Sequence, residues 1–522
     1  MVISKTNANK PDGNKPDENK PDGNKPDGNK PDARIFTTYR PTIYKLPKSK
    51  SKSNIIDIAP DVTLSNNICY AHFNLGFNHY IHKNKEEKMD NVGKMFKDRK
   101  KIYLVTLPFE KNLDKKMNDT DISIDTGVTT FIKDNVKSGM PHILNRSYLK
   151  LWELIIYFDL IEDSAQFTSA HLAEGPGSFV QATIVYRDLQ EKLKKIKTSK
   201  NDKYYVLSMY SDNEHLQMQK EFTNYYSKES PKRLHVLETI NTTLLNIYDQ
   251  EGGAKGTKGA KGTKGAIEAV VGVGGGVGGV GDVGVVGGVG AVCNGDITKI
   301  STIKIFGGSG KTKGFAESVD LVTADGGFEW KYETLQEQEA YRLIFGQIVT
   351  ALKIQNNNGH FVLKVFESYT PITLKFIEIL NSLYKDVYIC KPFTSRTSNS
   401  EKYVVCKYFI KKNLTSKFMT QLETLVEKME KDSIYNIIDI FTNYTIPSDI
   451  YNNYRIINYN LMEIQYFAIN NIDKFANLEN YNGKEYYQYL EKQVESSKYW
   501  IDIFLNHDNY KDIHKYVKYV TD

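Results

Sequence analysis

The sequence predicts an α/β fold with a mostly parallel sheet covered by helices. Between residues 144 and 412, strand-length apolar runs alternate with helix-length stretches, which is the pattern of such folds. The predicted strands are 167–173, 204–209, 318–324, 359–364, 386–390 and 402–409, and the clearest helical stretches are 333–355 and 372–383. A long polar loop joins the last two strands, which favours an antiparallel pair at one edge of the sheet.

Four other regions differ from this core in composition. Residues 1–33 contain five copies of Asn-Lys-Pro-Asp and lack an apolar pattern, which predicts a disordered tail. Residues 34–143 mix short apolar and charged stretches, which indicates an N-terminal α/β extension. Residues 251–290 are a low-complexity insert of Gly, Val and Lys within the core, and 413–522 form a helical C-terminal region with helices expected at 417–441, 461–475 and 484–504.

The overall composition excludes several classes of protein. The 522 residues carry a formal net charge of +6, which permits contact with nucleic acid without requiring it. Four cysteines show neither the paired spacing of a metal site nor the density of a disulfide scaffold, so we expect no metal and a reduced, intracellular protein. The Val/Gly stretch 269–292 is too rich in glycine for a membrane span. We therefore expect a soluble protein without membrane contact, and no feature indicates its oligomeric state.

Four ionisable residues stand next to the predicted strands in a suggestive order. Asp325 ends one apolar strand and Lys364 ends another, while Glu401 opens the last strand. Lys150 lies ahead of the apolar run 154–158. Spacings of 39 residues from Asp325 to Lys364 and 37 from Lys364 to Glu401 each leave room for one helix and one strand. The carboxyl edge of a parallel sheet is where such folds bind ligands, so these positions predict one shared site.

The order of these four residues and the Gly-Pro-Gly loop at 175–177 resemble the FtsJ-like RNA 2′-O-methyltransferase family. The resemblance covers about half the length of the chain. The resemblance implies a Rossmann-like fold that binds S-adenosyl-L-methionine (SAM). It also implies a catalytic tetrad of Lys150, Asp325, Lys364 and Glu401. The implied general base is Lys364, with Asp325 orienting it and Glu401 with Lys150 placing a ribose 2′-hydroxyl.

The resemblance also implies the cofactor site. Its residues would be Glu174, Gly175, Pro176, Gly177 and Ser178, in the loop after the first core strand, together with Asp296. Glu174 would hold the ammonium of SAM and Asp296 the adenine amino group. Family members commonly have a second glycine where this chain has Ser178.

The substrate implied by the resemblance is RNA. The contexts Thr-Ala-Asp-Gly-Gly around Asp325 and Thr-Ser-Arg-x-x-Asn-Ser-Glu before Glu401 look closest to cap-type members, including those of large cytoplasmic DNA viruses. We therefore expect methylation of a cap-proximal nucleotide of mRNA, in the cytoplasm (of a host cell if the protein is viral), with other capping enzymes as possible partners. Ribosomal or transfer RNA is the alternative substrate, and a catalytically inactive RNA-binding subunit is the alternative function.

A basic group near Glu401 is a further expectation. Lys391, Ser395, Arg396 and Lys402 flank the glutamate in sequence. We expect this group to hold the phosphates next to the target nucleotide and to leave its base unread.

Overall fold

The computed structural model describes ten stretches of the chain, with single gaps at residues 52, 317 and 329. They are 42–64, 142–194, 201–209, 217–229, 232–237, 295–309, 313–331, 335–478, 499–505 and 517–519, to which residues 131, 240–241, 292–293, 484 and 488 are added. The predicted tail 1–33, the insert 251–290 and most of the N-terminal extension lie outside the described residues, so the domain boundaries stay predictions.

Thirteen strands and nine α-helices occur in these stretches. The strands are β1 Thr42–Lys45, β2 Val62–Leu64, β3 Thr168–Leu172, β4 Lys203–Leu207, β5 Leu234–Leu237, β6 Ile240–Asn241, β7 Val292–Cys293, β8 Val319–Ala324, β9 Gln355–Val365, β10 Tyr384–Lys391, β11 Lys402–Phe409, β12 Ile437–Ile440 and β13 Val517–Tyr519. The helices are α1 Ser147–Phe158, α2 Ser178–Lys194, α3 Lys220–Glu229, α4 Ile300–Gly307, α5 Gln336–Glu339, α6 Tyr341–Ile354, α7 Pro371–Leu383, α8 Ser416–Lys431 and α9 Ser448–Leu478.

Nine strands form one mixed sheet in the order β13-β1-β10-β11-β9-β8-β3-β4-β5. The five strands from β9 to β5 run parallel, whereas β11 runs antiparallel to both β9 and β10. All six predicted core strands are therefore confirmed, and so is the antiparallel pair. That pair is not the edge of the sheet, however, because β1 and β13 extend it beyond β10. At four and three residues, these added strands are too short to produce a recognisable apolar run.

Helices cover both faces of the sheet. Consecutive strand residues alternate between two apolar cores, as Leu321 and Val322 do, because side chains of a strand point to opposite faces. One core lies under α1 and α2, and the other under α4, α6, α7 and α8. Two-sided burial explains why β3 is apolar or small at nearly every position and why the parallel strands read as continuous apolar runs.

The C-terminal region is less helical than its sequence predicts. The helix expected at 417–441 ends at Lys431, and β12 follows and pairs with β2 of the N-terminal region. Burial of Ile437 and Ile440 beside the main core stabilises this strand, a tertiary contact that helix periodicity does not report. The helix expected at 461–475 is longer and spans Ser448–Leu478. Of the helix expected at 484–504, the structure describes residues 484 and 488 and the helical segment 499–504.

The chain leaves and re-enters the core at one place around the insert. Strands β6 and β7 pair antiparallel, with Ile240 opposite Cys293 and Asn241 opposite Val292. This pairing places residues 240–241 next to residues 292–293, on either side of the insert. Residues 242–291 and 294, which include the ends of the insert itself, lie outside the described residues. Within the described residues, no helix is long and apolar enough to cross a membrane, and no group of three or more His, Cys, Asp or Glu side chains is arranged to hold a metal ion.

Candidate active site

The sheet brings four of the predicted site residues to one edge. Strands β3 and β8 are parallel neighbours with Leu172 opposite Ala324, so Glu174 and Asp325 both follow the carboxyl ends of adjacent strands. Lys364 lies near the carboxyl end of β9, where Ala324 pairs with Leu363. Because β11 is antiparallel, its first residues also lie at this edge, with Tyr403 opposite Lys364. Glu401, directly before β11, therefore comes to the same place.

Lys364 and Asp325 form the first ion pair of the site. The Lys364 Nζ atom lies 3.3 Å from Asp325 Oδ1 and donates a hydrogen bond of 2.8 Å to the Asp325 backbone carbonyl. Burial lowers the pKa of the lysine, but the charges of Asp325 and Glu401 outweigh burial and leave that pKa above its ordinary value. In the protein alone, Lys364 is therefore an ammonium held in a fixed orientation by Asp325.

Lys150 and Glu401 form the second ion pair. Lys150 lies in the first turn of α1, and its Nζ atom is 2.6 Å from Glu401 Oε1. Burial alone would raise the pKa of Glu401, but the charges of Lys150 and Lys364 overcome it and hold the pKa at about 2. The side chains of Lys150 and Glu401 are only 13% and 12% exposed, so solvent screens this pair weakly.

Tyr403 links the two pairs, and sequence reasoning missed it. Its fully buried hydroxyl donates to Asp325 Oδ1 at 2.9 Å and lies 3.5 Å from Glu401 Oε1. The missed signal was its position near the start of β11, two residues after Glu401, because side chains two residues apart in extended chain point to the same side. The predicted tetrad thus forms a single connected cluster.

The basic group near Glu401 does not face outward as expected. Lys391 is buried and donates to the backbone carbonyls of Asn399 and Glu401, at 2.9 and 2.8 Å. Lys402 is also buried and donates to the backbone carbonyl of Phe366. The buried hydroxyl of Ser395 donates to Glu401 Oε1 at 3.2 Å. These three residues hold the loop and Glu401 in place, and of the four only Arg396 is exposed. The proposed phosphate contact of Lys391, Ser395 and Lys402 is wrong, because their donors bind the protein itself.

The loop after β3 has the form of a ligand cradle. Ala173 and Gly177 have positive φ angles of 51° and 101°, so the chain turns sharply on both sides of Glu174-Gly175-Pro176. A Cβ atom at Gly177 would lie 3.1 Å from Met218 and 3.3 Å from both Leu144 and Phe222, in addition to the strain of its φ angle. Glycine is therefore required at this position by both conformation and space.

Two buried polar atoms of this loop have no hydrogen-bond partner among the described residues. They are the Oε2 atom of Glu174 and the hydroxyl of Ser178. The other Glu174 oxygen accepts a 3.0 Å hydrogen bond from the Phe179 amide, and burial raises the pKa of this carboxyl to about 8. An unpaired buried oxygen is costly in a folded protein. A cationic group of a ligand would satisfy it, which is the chemistry expected of the SAM ammonium.

Asp296 lies before α4, in a loop packed against α6. Its Oδ1 atom accepts from the Thr298 amide at 3.0 Å and from the Thr298 hydroxyl at 2.8 Å. The loop and α6 approach closely at Gly346, where a Cβ atom would lie 2.2 Å from the Ile297 carbonyl. Thr298 therefore holds the Asp296 carboxyl, and the contact of Asp296 with adenine stays a prediction.

Part of the chain is similar to known proteins. Residues 261–409 match the family model described as FtsJ-like methyltransferase, a span that contains Asp325, Lys364 and Glu401. The chain is 31% identical over 156 residues to cap-specific mRNA (nucleoside-2′-O-)-methyltransferase 2 of Drosophila melanogaster, which covers 30% of this chain and 22% of that protein. It is 42% identical over 96 residues to cap-specific mRNA (nucleoside-2′-O-)-methyltransferase 1 of Trypanosoma brucei brucei, which covers 18% of this chain and 26% of that protein.

These matches span about a quarter of the length of each relative. Among solved structures, human methyltransferase-like protein 13 in complex with SAH covers 56% of this chain and 91% of its own, at 10% identity and a TM-score of 0.22, which carries no argument about the site.

Proposed function

We propose that this chain, which carries an FtsJ-like methyltransferase domain, is a SAM-dependent RNA ribose 2′-O-methyltransferase acting on a cap-proximal nucleotide of mRNA. The observation that supports this most strongly is the cluster of two lysine–carboxylate pairs, joined by Tyr403, at the carboxyl edge of the sheet. The cradle at 173–178 lies at the end of the adjacent strand β3. One site thus combines a place for a cationic donor with groups suited to a weakly acidic hydroxyl.

The cradle residues fit the cofactor. When bound, SAM supplies a methyl group activated by its sulfonium. Glu174 would hold the ammonium through its unpaired Oε2 atom, and the turn at Gly177 lets the backbone approach the ligand. Asp296 would accept from the adenine amino group.

The four ionisable residues then act on the ribose. Lys364 removes the proton from the 2′-hydroxyl, which requires the amine in its neutral form. A further positive charge near Lys364 would oppose the effect of Asp325 and Glu401 and lower the lysine pKa, and SAM, when bound, would supply such a charge. Asp325 keeps the Nζ atom aimed, and the Lys150–Glu401 pair places the hydroxyl. Positioning of reactants is worth up to about 7–11 kcal/mol. A general base contributes about 10²–10⁴-fold, so placement outweighs proton removal.

Capped mRNA is the substrate that we favour over ribosomal or transfer RNA. The support is the function of the relatives, which are cap-specific mRNA methyltransferases. Other capping enzymes are then natural partners. Because the proposed substrate is mRNA, the protein would act inside the cell. The free, buried thiols of Cys390 and Cys406 are compatible with a reducing compartment.

A deoxy substitution tests the site of methylation. Labelled SAM is incubated with a capped RNA and with the same RNA carrying a 2′-deoxyribose at the target nucleotide, and the products are digested to nucleosides. We expect the label on the ribose of the first RNA and none on the second, whereas a changed base at the target has a smaller effect. Comparable label on the deoxy RNA would overturn the 2′-O assignment, and equal label on uncapped or structured RNA would overturn the cap assignment.

A further inference from the structure

Glu153 is a buried carboxylate that the proposed chemistry does not use. It lies on α1, one turn after Lys150, and is 0% exposed. Its Oε2 atom accepts from the Phe393 amide at 2.6 Å. Its Oε1 atom accepts from the Thr394 amide at 2.9 Å, from the Thr394 hydroxyl at 2.5 Å and from Trp500 Nε1 at 3.1 Å. A carboxylate without solvent is tolerated only with such a set of donors.

These bonds join α1 to the loop 392–401. Glu153 holds the beginning of the loop, and Arg146 adds a 2.9 Å bond from its Nη2 atom to the Thr394 carbonyl. The end of the loop is Glu401, which pairs with Lys150 of the same helix. One helix therefore holds both ends of the loop, and the placement of Glu401 relative to Lys150 depends on where the loop begins.

The C-terminal segment 499–505 belongs to the same contact. Besides the bond from Trp500 to Glu153, the Trp152 Nε1 atom donates to the Phe504 carbonyl at 2.9 Å. Trp500 is fully buried against α1. A segment some 347 residues away in sequence thus supplies one of the donors that make the buried carboxylate acceptable.

A second glutamate repeats this arrangement in the connection between β9 and α7, which begins two residues after Lys364. Glu337, also buried, accepts from the Tyr369 and Thr370 amides at 3.0 Å each and from the Thr370 hydroxyl at 2.7 Å. Each glutamate therefore binds an aromatic residue followed by threonine, in the connection after a strand of the same sheet. The connection bound by Glu337 leads into α7, whereas the loop bound by Glu153 leads to Glu401. The two clamps are alike in chemistry and differ in what they position.

We propose that Glu153 is a positioning residue of the methyl-transfer site, which sets Glu401 against Lys150 by clamping Phe393 and Thr394 to helix α1. This inference rests on the proposed function for its effect on turnover, but the clamp itself is independent of it. In Glu153→Gln, one acceptor oxygen is replaced by an amide NH₂ group that faces backbone donors, so the loop loses its fixed beginning. Glu337→Gln makes the same chemical change in the other clamp and is the matched control.

Turnover and ligand affinity separate positioning from general stability. For Glu153→Gln we expect kcat to fall at least about tenfold, since a misplacement of about 1 Å can cost up to about 10²-fold. SAM affinity should stay within about twofold, because no atom of the cradle changes. Glu337→Gln should retain kcat within about threefold even if its melting temperature falls as much as that of Glu153→Gln. Unchanged kcat in Glu153→Gln, or an equal loss in Glu337→Gln, would overturn the proposal.

Hydrogen exchange tests the clamp without using activity. Amides of peptides covering 392–401 should exchange faster in Glu153→Gln and unchanged in Glu337→Gln, with the reverse for peptides covering 366–372. If the wild-type protein methylates no RNA, the proposed function fails while the exchange pattern still decides whether Glu153 holds the loop. If Glu153→Gln does not fold, Trp500→Phe should give the same local exchange pattern, because it removes one donor and keeps an aromatic ring. Exchange at 392–401 that matches wild type in every folded variant would overturn the clamp.

Discussion

The two lysine–carboxylate pairs of the site are built in different ways. Lys364 and Asp325 extend from the ends of neighbouring parallel strands, so the register of β8 and β9 places them. Lys150 and Glu401 join the start of a helix to the end of a loop across 251 residues of sequence. Side-chain bonds to Glu153, Lys391 and Ser395 hold that loop. The first pair is as rigid as the sheet, whereas the second depends on several contacts that can be removed one at a time.

The charged groups of the two pairs also shift one another's pKa values. Asp325 and Glu401 together keep Lys364 charged in the protein alone, with its pKa above the ordinary value despite burial. Glu401 stays ionised because Lys150 and Lys364 hold its pKa at about 2, although burial acts in the opposite direction. Neither pair is ready for proton removal by itself. In the proposed mechanism, the geometry of the sheet would orient Lys364 as the base, and its activation would require positive charge from the bound ligand.

Loss of Lys364, near the end of β9, should have the largest effect. Lys364→Ala removes the base, so we expect kcat to fall by about 10²–10⁴-fold, with SAM affinity changed by only a few-fold. Methyl transfer to capped RNA and SAM binding by calorimetry measure the two quantities. Lys304→Ala breaks a partly exposed ion pair between Lys304 on α4 and Glu427 on α8; it is the control and should leave both unchanged. Retention of more than about a tenth of wild-type turnover by a folded Lys364→Ala variant would remove Lys364 as the base.

The helix–loop pair should give a smaller, non-additive effect. Lys150→Ala or Glu401→Ala leaves the partner as an uncompensated buried charge, so each should reduce kcat by roughly 10–100-fold and lower stability. The double variant should be no worse than the poorer single variant, since the two residues act as a unit. Rates and melting temperatures of all three variants measure the coupling. Additive losses in the double variant would mean that the two residues act separately.

The third carboxylate at this edge, Glu174, forms no ion pair with a lysine of the described residues, and its effect should be visible in the pH dependence of SAM binding. Burial raises its pKa to about 8, so in the protein alone it is mostly protonated at pH 6. Only the ionised form attracts the SAM ammonium, so SAM affinity should rise from pH 6 to about 7.5. It should level off near pH 8, where the α-amino group of the ligand begins to lose its own proton. Calorimetry across this range measures the effect. The Glu174→Gln variant should bind more weakly and without this rise, and an equal rise in that variant would assign the titration to another group.

The smallest effect should come from the low-complexity insert, which contains neither ion pair. Deletion of residues 251–290 should leave the melting temperature and kcat nearly unchanged, because β6 and β7 already bring the two flanks together. Activity and RNA affinity at several salt concentrations measure the outcome. Weaker RNA binding with a flatter salt dependence in the deletion variant would instead identify the lysines of the insert as phosphate contacts.

Local sequence was sufficient for the six core strands and for the placement of two candidate site residues. Parallel strands buried on both faces are continuous apolar runs, so their ends are visible in sequence, and a polar residue at such an end lies at the ligand-binding edge. Asp325 and Lys364 were identifiable for this reason, whereas Glu401 reaches the same edge because it precedes the antiparallel strand β11. The turn at Gly177 was also visible, because the loop needs glycine for local conformational reasons.

Only the tertiary structure decided which polar groups meet. Three sets of contacts show this. Tyr403 bridges Asp325 and Glu401, Lys391 and Lys402 point inward, and Trp500 contacts Glu153. The sequence neighbourhoods of these groups do not distinguish them from surface residues. Strand β12 likewise replaced the end of a predicted helix when Ile437 and Ile440 found a core to enter. The physical reason is common to these cases. A buried polar group needs a partner supplied by whatever segment the fold brings nearby, and that partner is set by packing across the chain rather than by local pattern.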